Sequence, residues 1–266
     1  MIRDITLGQY YASDSAIHRL DPRTKIIATV LFIFELFIVK DFYGFMLCGA
    51  VLALCVKLSR VPLSFIMRGM KPILMILFFT FFINIFMVPG TVIWQWSFIK
   101  VTIEGIRTAL FMGVRLTLLI ISSSLLTLTT KPITLTDGLE KLMSPMEKMG
   151  LPSHEIAMMM SIALRFIPTL LEEADKIMKA QQARGADFES GNIIRRSKAM
   201  VPLLVPLFVS AFHIAQDLAM AMESRCYRGG RGRTRMNEIK LDKKDAAAFA
   251  VMAIFLAAVI LMRIYV

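Results

Sequence analysis

Two stretches decide how the chain is arranged: residues 156–171, IAMMMSIALRFIPTLL, and residues 199–215, AMVPLLVPLFVSAFHIA. Each is greasy enough to pass for a membrane-crossing helix. Yet each opens or sits inside a longer segment that finishes in charge. Residues 153–183 begin apolar and end in EEADKIMKAQQ, closing at Gly185. Residues 192–226 repeat the design, with a basic start, an apolar middle, then a polar end before Gly229-Gly230. The caps, and in the first segment the charge pairs Glu172/Lys176 and Asp175/Lys179, predict long helices.

Outward from these stretches the composition is that of a membrane protein. The chain has 266 residues, of which 56% are hydrophobic and 19% charged, with a mean hydropathy of +0.64. The apolar residues come in long blocks rather than as one stripe of amphipathic helices, which excludes a large soluble helical core. Five blocks read as membrane helices: 26–39 (interrupted by Glu35), 42–56, 72–88, 106–130 (containing Arg107 and Arg115) and 246–262. The first two are short for the roughly twenty residues a span needs. Only Lys40-Asp41 separates them, as in a tight helical hairpin. Residues 132–149 form a short amphipathic segment that stops at Gly150-Leu151-Pro152.

Charge then settles the reading of 156–171 and 199–215. If both crossed the membrane, the loop between them would carry Lys176, Lys179, Arg184, Arg195, Arg196 and Lys198 to the outside. If only the second crossed, the five arginines of 225–235 would be outside. With neither crossing and the N-terminus inside, only Lys40, Lys100 and Arg263 remain outside, against eighteen Lys and Arg inside between 131 and 245. The positive-inside rule prefers this arrangement. The expected fold is therefore all-α, a polytopic membrane protein with about five transmembrane helices. Its expected parts are an N-terminal membrane domain (1–131), a cytoplasmic-side helical domain (132–245) and a C-terminal transmembrane helix (246–266).

Several function classes fall away. The net charge of +11 reports on orientation and anionic lipid in such a protein, and with no RNA or DNA motif among the charges we expect no nucleic-acid partner. Cys48, Cys55 and Cys226 form no CxxC pair, and His18, His154 and His213 are scattered, so no disulfide framework or metal site is expected. Gly229-Gly230-Arg231-Gly232-Arg233-Thr234 lacks the GxxxxGK[ST] spacing of a phosphate loop. A polar N-terminus reaching Lys25 before the first apolar run predicts no cleavable signal peptide. An intramembrane lipid-modifying enzyme or protease needs clustered acids, histidines or a nucleophile with a base. The spans offer an isolated Glu35 and a Ser122-Ser123-Ser124 run. A self-sufficient secondary transporter would show internal repeats, and the two halves show none. Glu35 and Arg115 read as a structural pair, or as groups that each face the cytoplasmic domain.

Both long helices end in an arginine flanked by small residues, Ala183-Arg184-Gly185 and Ser224-Arg225-Cys226, 41 positions apart. A rod greasy at one end and wet at the other can run from bilayer to soluble partner. The arginine fork binds carboxylates or backbone carbonyls in pairs. Cations at helix C-termini are also ordinary complements of the helix dipole. Ala211, Ala215 and Ala219 recur every four residues, a spacing that permits a close helix crossing and equally serves helix propensity. Ten of the twenty methionines lie between Met143 and Met222, as adaptable core filler or as a surface that repacks against differing partners.

The segment Ser15-Ala16-Ile17-His18-Arg19-Leu20-Asp21-Pro22-Arg23-Thr24-Lys25 resembles the N-terminal signature of the T components of energy-coupling factor transporters. Arg165-Phe166-Ile167-Pro168 and Ala180-Gln181-Gln182-Ala183-Arg184-Gly185 are similar to the family's most distinctive stretch. The resemblance covers essentially the whole chain. It implies a non-catalytic subunit of an ATP-driven importer of vitamins or metal ions, in the cell membrane. The implied partners are two cytosolic ABC ATPase subunits and a substrate-capturing membrane S component, one or several interchangeable. It also implies two long coupling helices crossing as an X, with an arginine at each tip entering an ATPase groove, here Arg184 and Arg225. No cofactor is expected on this chain; ATP and Mg are expected in the ATPases. The second tip departs from the Ala-Arg-Gly pattern, with Ser224 and Cys226 as flanks.

Overall fold

The computed structural model describes residues 10–96, 99–188, 192–230 and 241–265. It divides into two compact units, one of residues 8–139 with 238–266, the other containing 140–237.

In the first unit, α1 (Pro22–Ile38) starts where local chemistry says it should. Pro22 occupies the first helical turn, and the Asp21 side chain accepts a hydrogen bond from the Arg23 nitrogen at 2.8 Å. α2 (Phe42–Ser59) follows after the short Lys40-Asp41 link and ends with Arg60 in the left-handed region, φ 55°. α3 (Leu63–Met87) is longer than the expected span 72–88, because helix continues back through Lys71 and Pro72 to Leu63. The two arms, Leu63–Lys71 and Ile73–Met87, are bent by 63°. α4 (Ile103–Thr129) is capped by Thr102, whose hydroxyl accepts from the Gly105 nitrogen at 3.0 Å. α5 (Pro132–Met143) begins in this unit and its last turn belongs to the second, while α8 (Lys243–Tyr265) belongs to the first.

An antiparallel hairpin of β1 (Val92–Trp96) and β2 (Ile99–Thr102) joins α3 to α4, paired Trp94 to Val101 and Trp96 to Ile99. It adds the only strands among the described residues to an otherwise helical chain. The core is formed by Phe32, Leu36, Phe45, Cys48, Leu52, Leu125 and Val259, with ring stacks of Phe32 on Phe255 and Phe45 on Phe111. Much of α3 stays uncovered, including Met75, Phe78 and Phe79, the arrangement of a helix that faces lipid.

The second unit contains a 3-10 turn (Ser144–Met149) and two long helices, α6 (Ser153–Ala183) and α7 (Ile193–Ser224), which pack on each other. Composition places the divisions at 131/132 and 245/246. Grouped by contacts, the chain divides at 7/8, 139/140 and 237/238, and within the first unit Gly138 of α5 lies against Pro22 of α1.

Among the described residues, five helices are long and apolar enough to cross a membrane: α2, α4, α6, α7 from Met200, and α8. The two arms of α3 together make a sixth. α1, with 17 residues, falls just short. Length and apolarity thus place α6 and α7 among the candidate spans, from which the sequence reading separates them on charge.

Candidate functional site

The two arginine tips are built by the same backbone motif. α6 ends with Arg184 as its cap, φ −87°. The Gly185 nitrogen donates to the Gln182 carbonyl at 2.9 Å and the Ala186 nitrogen to the Gln181 carbonyl at 3.0 Å. This is a Schellman closure, with Gly185 in the left-handed region at φ 91°. α7 ends the same way, with Arg225 as cap at φ −90°. Here the Cys226 nitrogen donates to Glu223 at 2.8 Å and the Tyr227 nitrogen to Met222 at 3.0 Å. Cys226 takes the left-handed position at φ 54°. The sequence departure from Ala-Arg-Gly therefore leaves the cap geometry unchanged and adds backbone strain of about 1 kcal/mol, since a Cβ is disfavoured there.

All six residues, Ala183, Arg184, Gly185, Ser224, Arg225 and Cys226, are exposed. Among the described residues neither Arg184 nor Arg225 makes a side-chain hydrogen bond or ion pair. The Ser224 hydroxyl turns back to donate to the Ala221 carbonyl at 3.0 Å, so it does not compete for the neighbouring guanidinium. Each tip presents one unpaired fork with small neighbours, able to take a carboxylate or carbonyl from outside the chain.

Behind the tips, the wet half of α6 is held by surface pairs. Lys179 meets Asp175 at 2.7 Å, as its spacing predicts. Lys176 instead pairs with Glu173, one residue nearer than the expected Glu172, at 3.5 Å. Among the described positions of α7, those half-covered are Leu203, Pro206, Leu207, Ser210, Ala211, Ile214, Leu218 and Met222. Of the alanine row, Ala211 alone lies on that side, while Ala215 and Ala219 are exposed. The covered side of α7 is thus made mostly of larger side chains.

In the membrane unit, Arg115, Lys25 and His18 are each held by backbone carbonyls. The Arg115 fork donates to the carbonyls of Leu36 at 3.0 Å and Val39 at 2.9 Å, closing the C-terminus of α1. Its guanidinium also lies over the Phe45 ring. It makes no pair with Glu35, which is 2% exposed inside α1. Lys25, 7% exposed, donates to the carbonyls of His18 at 3.1 Å and Thr129 at 2.9 Å. His18 is held by the Ser15 hydroxyl at 2.7 Å and the Tyr11 carbonyl at 3.0 Å. Burial pushes its imidazole below the ordinary range. Sequence reading found this segment but not what it touches, because Thr129 and Asp245 lie far along the chain.

These features define a class: a polytopic helical membrane protein carrying a unit of two long helices whose tips each present a free arginine. A family model described as cobalt transport protein (CbiQ) matches residues 13–236. The chain is 53% identical over 263 residues to the energy-coupling factor transporter transmembrane protein EcfT of Ruminiclostridium cellulolyticum, covering 99% of this chain and 98% of that one. It is 53% identical to the protein of that name from Clostridium kluyveri over 100% and 99% of the two chains. For the Bacillus subtilis (strain 168) protein the identity is 48%, over 99% and 100%. The chain belongs to this family, the transmembrane T components of energy-coupling factor transporters.

Proposed function

We propose that this chain is the coupling subunit of an energy-coupling factor importer, joining two cytosolic ABC ATPases to a membrane S component that captures a vitamin or metal ion. The observation that carries this reading is the pair of matching helix caps, each presenting an exposed, unpaired arginine. The names of the relatives supply the transporter class. In this reading the N-terminus and the α6–α7 unit lie on the cytoplasmic side, which the distribution of Lys and Arg favours. ATP binding draws the two ATPases together and moves Arg184 and Arg225. α6 and α7, packed on each other, carry that motion toward the membrane and tip the S component. The chain itself binds neither nucleotide nor substrate, and the hydrolytic chemistry, with ATP and Mg, belongs to the ATPases.

The test is co-purification from the native membrane. The wild-type chain is expected to bring down two ATPases and an S component. Changing Arg184→Glu and Arg225→Glu together is expected to release the ATPases while the chain stays folded in the membrane. Intact assembly and transport in that double variant would overturn the docking role.

A further inference from the structure

The residues that follow the Arg225 tip fold back onto the first turn of α6, within the same compact unit. Gly230 lies so close to His154 that a Cβ there would stand 2.3 Å from the ring Cδ2, 2.6 Å from Cγ and 3.0 Å from Nε2. Its backbone is outside the left-handed region, whereas Gly229 beside it, at φ 88°, makes the turn. Glycine at 230 is thus required by the close approach and not by conformation. The imidazole is itself held, with Nδ1 donating to Glu140 Oε1 at 3.2 Å. A carboxylate only accepts, so this bond places the proton on Nδ1 and fixes the ring in one orientation. Both side chains are partly shielded from water. At the other end of the segment, the Cys226 and Tyr227 nitrogens close the cap of α7. Residues 226–230 are therefore fastened at both ends, and Arg225 stands at most about 18 Å from Gly230.

We infer that residues 226–230 are a strap tying the end of α7 to the start of α6, with His154 as its seat and Glu140 orienting that seat. Both are positioning residues for the Arg225 tip. The inference rests on the coupling reading above. Two helices that pack on each other can still pivot about their contact. A pivot would let Arg225 swing while the start of α6 stays still, and the displacement imposed on the tip would be lost. A strap fastened at both ends removes that freedom, so the Arg225 tip and the first turn of α6 travel together. Ala183 stands at the far end of α6, about 44 Å along the helix from His154. The strap therefore governs one tip and not the other.

The experiment uses the full complex in its native membrane, with a photo-crosslinking side chain at position 183 or at position 224. Gly230→Ala drives a methyl group into the imidazole. It is expected to lower ATPase labelling from 224 about fivefold, while labelling from 183 stays within about twofold of wild type. His154→Ala, which removes the seat, is expected to do the same. Glu140→Leu takes away the acceptor and should follow them, whereas Glu140→Gln keeps an oxygen in place and should label from 224 as wild type does. Unchanged labelling from 224 in Gly230→Ala and His154→Ala would overturn the proposal, as would a Glu140→Gln chain no better than Glu140→Leu. So would an equal fall at both positions, which is what general destabilisation of the unit produces.

A distance measurement separates a fixed strap from a moving one. With Cys48, Cys55 and Cys226 replaced by alanine, Glu155→Cys and Ala221→Cys, both exposed positions, are introduced together and spin-labelled in the assembled complex. One narrow distance is expected, the same with the ATPases empty and nucleotide-loaded, and Gly230→Ala should broaden it. A distance that changes with nucleotide, or one that Gly230→Ala leaves equally narrow, would overturn the proposal. Failure of the coupling reading looks different. Neither 183 nor 224 would then label an ATPase in the wild-type chain, while the spin-label distance would stay narrow.

Discussion

The base of α1 and the tips of α6 and α7 use the same kind of side chain in opposite ways. At the base, Lys25 is buried and spends its ammonium on the carbonyls of His18 and Thr129. Arg115, further along the membrane unit, closes the end of α1 through two more carbonyls. At the tips, Arg184 and Arg225 are exposed and bind nothing within the described chain. A cation that finishes a backbone end inside its own fold is structural. One left unpaired on a rigid cap is available to a partner. In the proposed reading, the difference separates residues whose loss should unfold the protein from residues whose loss should disconnect it.

The largest expected effect tests the tips. Charge reversal at both Arg184 and Arg225 should lower the amount of co-purified ATPase at least about tenfold, as removal of central arginine contacts commonly does. The thermal midpoint of the chain should barely move. At the base the outcome should be inverted. Lys25→Met strands the buried Thr129 carbonyl and the half-buried His18 carbonyl, and should destabilise the membrane unit by about 2–6 kcal/mol at roughly 1–3 per unsatisfied group. Thermal unfolding in detergent reads this directly. Arg184→Met, by contrast, should stay within about 0.5 kcal/mol, as surface changes do.

The two tips can also be set against each other. Cys226→Gly should stabilise by about 1 kcal/mol by relieving the left-handed Cβ, and Gly185→Ala should destabilise by a similar amount. Equal and like-signed effects at both positions would mean that the caps are not equivalent. A smaller effect is expected at Asp175, whose exposed pair with Lys179 should be worth about 0.3–0.5 kcal/mol.

The smallest effect is a pH slope at the base. His18 is held below its ordinary pKa by burial, with Lys25 adding to the shift. The unfolded chain therefore binds its proton more readily than the folded one. Stability should be intact above the unfolded value of 6.5 and decline as pH falls through it. His18→Gln should remove that part of the decline between pH 8 and 5.5.

Much of this was legible because it is local. The ends of α6 follow from Pro152 and from Ala183-Arg184-Gly185, and the membrane helices from their apolar runs. Lys71 and Pro72 stopped the sequence reading of α3 at 72, whereas the helix bends there and continues to Leu63. The hairpin at 92–102 carries β-branched and aromatic residues after Pro89-Gly90, a strand signal easily lost between two membrane helices. Cys226 read as a departure from a motif because its φ of 54° is invisible in a residue name. The bond from Asp245 to Asp21 spans 224 positions, and no local pattern announces such a contact. Gly138 and Asp245 became visible only when the fold brought them to the same turn.

The account turns most directly on what the two tips touch. A photo-crosslinking side chain placed at position 183, and in a second chain at position 224, would record their neighbours in the native membrane. The expected result is that each position labels a cytosolic ATPase subunit, and that the label is lost when the adjacent arginine is reversed to glutamate. Labelling of lipid alone at either position, or ATPase labelling that survives the reversal, would contradict it.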